Sequence, residues 1–190
     1  MSNQSVRNEI GNSNLEVAVG SLARQIAYWT KDCDRFTTPI PGLLLFRRSE
    51  QTEPLSVMYE PSICQIAQGA KRILLGDDAL VYDPGHYLLT SVHLPTVAQV
   101  IKASPDLPCL GLRMTLDFRQ VSRLMVDSNL PASGSQRPGP GMAIGELSSP
   151  LVEAFNRLIE LLANEQDIPI LAPVIQKEIT YLSLIHISEP

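Results

Sequence analysis

KRILLGDDALVYDPGHYLLTSV, residues 71–92, carries two turn signals within a run that is otherwise apolar, aromatic and β-branched. Gly76-Asp77-Asp78 supplies a residue that reaches positive φ without steric cost, between KRILL and ALVY, and so predicts a short hairpin. Asp83-Pro84-Gly85 places Pro second and Gly third, the order a tight turn favours. Outward from this stretch the pattern repeats. LLLFRR (43–48), LSVMYE (55–60), ICQIAQ (63–68), HYLLTSV (86–92), TVAQVIKA (96–103) and CLGLRMT (109–115) are short runs separated by Gly, Pro, Asp and Ser. A spacing of roughly 8–12 residues between turns is that of a sandwich or barrel of antiparallel hairpins.

Helical periodicity flanks the β region. Leu15, Val19, Leu22, Ile26 and Trp29 fall on one helical stripe, behind a polar leader at residues 1–13 and potential caps at Asn12, Ser13 and Asn14. Pro39 and Pro41 forbid that helix from continuing. Leu116–Leu130 turns helical again, with Leu116, Val121, Leu124 and Met125 on one side, and the sensor unit so defined runs from residue 14 to 130. PASGSQRPGPG opens a segment, 131–147, that reads as a flexible loop. Ser149-Pro150 then reads as a cap followed by Pro at the first helical position. Leu151, Phe155, Leu158 and Leu162 form one apolar stripe, and Leu171, Val174, Ile175, Ile179 and Leu182 a second, with Pro173 tolerable only in a first turn. Two amphipathic helices at 148–182 either cover a β domain or pair with a second copy.

The chain has 190 residues, 44% hydrophobic and 18% charged, with a net charge of −5. That is enough apolar material for one core in a single domain. An acidic chain is a poor match for a phosphate backbone, so DNA is not expected to be gripped by these residues alone. Cys33, Cys64 and Cys109 lie more than 30 residues apart, without CxxC spacing, and read as reduced thiols in a cytoplasmic protein. The polar start lacks the apolar core of a secretory signal, and no segment reads as approaching the ~18 apolar residues of a membrane span.

Catalytic signatures are missing from the sequence: no GxSxG, GxGxxG, GxxxxGK, HxH or HExxH occurs. Asp77-Asp78 reads as a hairpin tip rather than an acid–base pair. His86 and His93, seven residues apart, would face opposite sides of one continuous strand, so neither a metal nor another cofactor is expected. Tyr59, Cys64 and Gln68 interrupt apolar runs with polar groups, as in pockets built inside barrels, and with His86 and His93 they form the candidate ligand set. The alternative is that Tyr59 caps a rim and the glutamines face water.

FTTPIPGLLLFRRSE (36–50) and YEPSICQIAQGAKRILLGDDALVYDPGHYLLTSVHLPTVAQVIKASPDLPCLGLRMTLD (59–117) resemble the N-terminal domain of AraC-type transcriptional regulators. The similarity runs from about residue 20 to residue 182. It implies a mainly β fold with flanking α: a cupin-like antiparallel β-barrel followed by C-terminal helices. It further implies a non-enzymatic sensor of a small-molecule effector, and a homodimer formed through Leu151, Phe155, Leu158, Leu162, Val174, Ile175 and Ile179. DNA would be read only by a helix-turn-helix domain beyond residue 182, of which nothing is encoded here. SLIHISEP (183–190) looks like translated sequencing-adaptor readthrough, and is left out of the functional reading together with His186. The alternative from a different class is a stand-alone cupin-like enzyme or small-molecule-binding protein.

Overall fold

A computed structural model describes residues 3–127 and 141–188. In chain order it contains α1 (Asn3–Trp29), β1 (Arg35–Thr37), β2 (Leu43–Arg48), β3 (Leu55–Tyr59), β4 (Ser62–Gln68) and β5 (Ala70–Leu75). There follow β6 (Asp78–Tyr82), β7 (His86–Thr90), β8 (Leu94–Lys102), β9 (Cys109–Thr115), α2 (Phe118–Asp127), β10 (Met142–Glu146), α3 (Ser149–Glu160) and α4 (Ile168–Ser188). The strands form two antiparallel sheets, β1-β2-β9-β4-β7-β10 and β3-β8-β5-β6. Mainly β with flanking α is therefore the fold, as the turn spacing predicts.

Both turn signals fold as read. Gly76 has φ +61° between β5 and β6, and the His86 amide donates to the Asp83 carbonyl at 3.0 Å across the Asp-Pro-Gly turn.

Strand alternation divides the protein into two cores. On one face of the six-stranded sheet, Leu43, Leu45, Ile63, Ala67, Tyr87, Leu89, Leu110, Leu112 and Met114 pack with Leu22 and Ile26 of α1 and with α3 and α4. On the other face, Phe46, Cys64, Ile66, Leu88 and Cys109 meet Ile73, Tyr82 and Val100 of the second sheet. The β4 sequence SICQIAQ is buried along nearly its whole length because both of its faces are covered. Each face has one aromatic ring laid over a glycine on the neighbouring strand. Phe46 pairs with Gly111 and Tyr87 with Gly145, where a Cβ would run into the ring.

The helical layer is tied down by polar contacts. Asn156 of α3 accepts from Gln25 Nε2 at 2.8 Å and donates to the Ala18 carbonyl at 3.0 Å, joining α3 to α1. The Tyr87 hydroxyl donates to the Ser183 carbonyl at 2.6 Å, joining β7 to α4.

Several boundaries differ from the sequence reading. The backbone of α1 is helical from Asn3, inside the expected polar leader, since extending a helix that is already packed costs little per residue. The expected loop at 131–147 ends in β10, whose five residues pair with β7; a short strand directly after PGPG carries too little period to be seen. Its first part, to residue 140, lies outside the described residues. Ser148, not Ser149, occupies the cap position of α3, with Pro150 inside the first turn and no side-chain cap bond. Pro173 sits within α4, beyond the first turn, on the exposed side of the helix. α4 also runs past residue 182, where Ser183 is fully buried, so that boundary is not a structural one. Lastly, Glu165–Ile185 has the length and mean hydropathy, 1.3, of a membrane span, which the count of uninterrupted apolar residues overlooks; a third of it is buried against the rest of the protein.

Gly111→Ala is expected to destabilise the protein by about 1–3 kcal/mol, because the added methyl meets the Phe46 ring and lies 2.6 Å from the Gln65 carbonyl oxygen. Gly20→Ala in α1, where the nearest atom is 3.6 Å away, should stabilise by about 0.5–1 kcal/mol. Urea unfolding measures both, and shifts of the same sign would contradict this account of the packing.

Candidate functional site

A cavity of about 490 Å³ lies between the two sheets, near the edges formed by β1 and β3. Its walls come from β2 (Leu44, Phe46, Arg48), β3 (Leu55, Val57, Met58, Tyr59), β4 (Cys64), β5 (Lys71), β8 (Ala98, Gln99, Val100) and β9 (Arg113). Arg35 and the segment Thr52–Leu55 complete the rim, where Leu55 and Met58 are exposed. Pockets of this size and apolar character suit small organic ligands.

Lys71 is the unusual group. Its ammonium stands 3.8 Å from the centroid of the Phe46 ring, a cation–π contact that Gly111 permits by letting the ring lie flat over β9. Burial lowers its pKa from the ordinary lysine value, and the positive charges of Arg48 and Arg113 push the same way, whereas the thiols of Cys64 and Cys109 oppose them. Among the described residues no carboxylate comes within 4.0 Å of Lys71. Arg48 is better provided: its Nη1 lies 3.4 Å from Asp34 Oδ2 and donates to the Asp34 and Arg47 carbonyls. Arg113 has only a 3.9 Å contact with the half-exposed Glu60, and its buried Nε lacks a hydrogen-bond partner.

The tyrosine and cysteine side chains in and behind the walls are held neutral. Burial raises the pKa of Tyr59, and the neighbouring Cys64 adds to the effect. Burial likewise raises Cys64 and Cys109, with the Lys71 charge acting against it at both. Tyr82, deeper between the sheets, is raised well above its ordinary value by burial first and then by Tyr59.

Of the five ligand candidates, the structure brings Tyr59 and Cys64 together in the cavity wall. Gln68 instead donates to the Pro108 carbonyl at 2.7 Å, bracing the approach to β9. His86 is paired with Asp83 at 2.8 Å in the exposed turn, and that bond holds the Asp83 carboxyl below its usual range. His93 is exposed beyond the end of β7, so the two histidines do not share a continuous strand. No group of three or more His, Cys, Asp or Glu side chains is placed to hold a metal among the described residues.

Sequence reading missed Arg48, Lys71 and Arg113. Each is a cation set into an apolar strand run, LLLFRR, KRILL and CLGLRMT, and that recurrence was the available signal. Of the seven dimerisation candidates, Leu151, Phe155, Leu158, Leu162, Ile175 and Ile179 are buried within this chain's own helical core. Val174 is 63% exposed, on an outer face of α4 that also carries Ile170, Leu171 and Tyr181.

The family described as AraC-type transcriptional regulator N-terminus matches residues 39–186. No curated protein matches the chain. Among solved structures, ToxT from Vibrio cholerae is similar at a TM-score of 0.49 and 7% identity, over 62% of this chain and 46% of that one. A structure of the same protein with unsaturated fatty acid bound gives 0.44 and 8%, over 73% and 55%. The AraC-like transcriptional activator CuxR gives 0.43 and 12%, over 80% and 54%. The chain spans about half the length of these neighbours.

Two measurements check the site. Ellman's reagent should titrate Cys33, the exposed thiol, rapidly in the native protein, and Cys64 and Cys109 only on unfolding; a second fast thiol would contradict the burial. The second is the stability difference between wild type and Lys71→Met as a function of pH. A lysine whose pKa is lowered on folding binds fewer protons in the native state than in the unfolded one. Wild type should therefore gain stability relative to the variant as pH rises from the lowered native value toward 10.5. A flat difference across that interval would show that Lys71 is solvated.

Proposed function

The chain belongs to the AraC-type transcriptional regulators, matching their N-terminal region over residues 39–186, and from that premise we propose that it is the small-molecule-sensing and dimerisation domain of a DNA-binding regulator. The observation that carries the reading is the cavity between the sheets, walled on one side by β2, β4 and β9, whose opposite faces support the helices. A compound bound there bears on Phe46, Cys64 and Arg113, while the adjacent residues Leu45, Ile63 and Leu112 pack toward the helical layer. A ligand shifts such an arrangement only by its difference in affinity for the two states.

Dimerisation is assigned to the outer face of α4. Ile170, Val174 and Tyr181 line one stripe at helical spacing, flanked by Leu171, and all four are exposed. DNA contact is assigned to a further domain of the full protein, since a net charge of −5 makes these residues a poor match for a phosphate backbone. The enzyme reading has no comparable support, since His86 and His93, the residues it relied on, both lie outside the cavity.

A cognate effector at a hundred times its Kd should stabilise the protein by about 2.7 kcal/mol. For a chain of this size that is a Tm rise of roughly 5–10 °C. Thermal unfolding against a small-molecule library reads this, and Ala98→Trp, which fills the cavity, should abolish the shift. A library that leaves Tm unchanged, or a shift that persists in Ala98→Trp, would refute the sensor reading. For the dimer, Val174→Asp should give monomer by sedimentation with little loss of fold stability, and an unchanged dimer would move the interface elsewhere.

A further inference from the structure

We propose that the cavity is selective for an organic monocarboxylate with an apolar body, whose carboxylate is received by Lys71 and Arg113. This deepens the sensor reading and rests on it.

The argument starts from charge. Arg35, Arg48, Lys71 and Arg113 line the cavity, against a single carboxylate, Glu53, on its rim. Cations are seldom gathered in a partly buried, largely apolar space, because each loses hydration and repels the others. Here the repulsion is direct, since Arg48 and Arg113 both disfavour the charged form of Lys71. The arrangement lowers stability, and a ligand anion would relieve it.

The partners already present show how much of that charge is free. Asp34 and two carbonyls engage Arg48, which leaves little for a ligand. Lys71 lacks a carboxylate among the described residues, and Arg113 has one at 3.9 Å and a bare Nε. With Arg35 exposed to water on the rim, one free cation and a second that is half satisfied remain in the walls, and they match a single negative charge better than two. The remaining walls, with Phe46, Val57, Met58 and Val100, present apolar surface, and Tyr59 and Cys64 are held neutral and cannot repel the anion. An acid whose carboxylate reaches Lys71 would lay its body along that surface.

The test uses the full chain and a defined panel: decanoate, 1-naphthoate, their primary amides and 1-naphthyl phosphate, titrated calorimetrically at fixed ionic strength. At least one acid should bind, its amide at least tenfold more weakly and the phosphate no more tightly. Lys71→Met should weaken the acid at least tenfold and leave the amide unchanged, whereas Lys71→Arg should retain the preference for the acid. The wild-type comparison of acid with amide needs no variant, so it stands whether or not Lys71→Met folds. Equal binding of acid and amide, tighter binding of the phosphate, or full acid affinity in Lys71→Met would each overturn the inference. If amides or other neutral compounds bind and Ala98→Trp blocks them, the anion preference fails and the sensor reading stands. If no acid in the panel binds, the inference fails; the sensor reading falls with it only when neutral compounds are also silent.

Discussion

The strands β2, β4 and β9 of the six-stranded sheet are covered on both faces, and almost every other feature follows from that constraint. Because side chains alternate along a strand, most residues of β2, β4 and β9 are committed to one of two cores, with no solvent-facing side to receive an error of register. Phe46, Cys64 and Arg113 are directed to the cavity by the same alternation that directs Leu45, Ile63 and Leu112 to the helices. Glycine completes the scheme. Gly111 and Gly145 stand where a neighbouring ring needs the space of a side chain, one on each face of the sheet.

The cavity side of this sheet trades stability for binding. A well-packed interior would fill the space or pair its charges, since an unpaired buried cation costs more than its contacts return. Lys71 has an aromatic face and two neutral thiols to set against the repelling charges of Arg48 and Arg113. A local departure from good packing inside an otherwise consistent fold marks a place shaped for function. The helix side shows the opposite economy: Asn156 and Tyr87 have their hydrogen-bond partners, and Leu151, Phe155 and Leu158 are fully buried.

Much of the fold was legible because turn chemistry is local. Gly76 and the Asp83-Pro84-Gly85 turn announce their hairpins in three residues each, and the stripe from Leu15 to Trp29 identifies its inner face directly. The site was legible only in part. Tyr59 and Cys64 are visible as polar interruptions, but a lysine in KRILL reads equally well as the solvated face of a half-buried strand. Only the six-stranded sheet, closing over β5, decides that Lys71 points inward, and that closure is set by contacts distant in sequence. Likewise Leu151, Phe155 and Leu158 declare that they are buried without saying against what, so a stripe that covers the chain's own sheet looks the same as one awaiting a partner. β10 was hidden for a simpler reason, as five residues beside a proline- and glycine-rich segment carry too short a period.

The central claim is that one sheet connects the cavity to the helices. Amide hydrogen exchange, with and without a compound that raises Tm, tests it most directly. The account predicts slower exchange on binding both in β2, β4 and β9 and in the helices Ser149–Glu160 and Ile168–Ser188, which touch no ligand. Protection confined to the cavity walls, with the helices exchanging at unchanged rates, would contradict it.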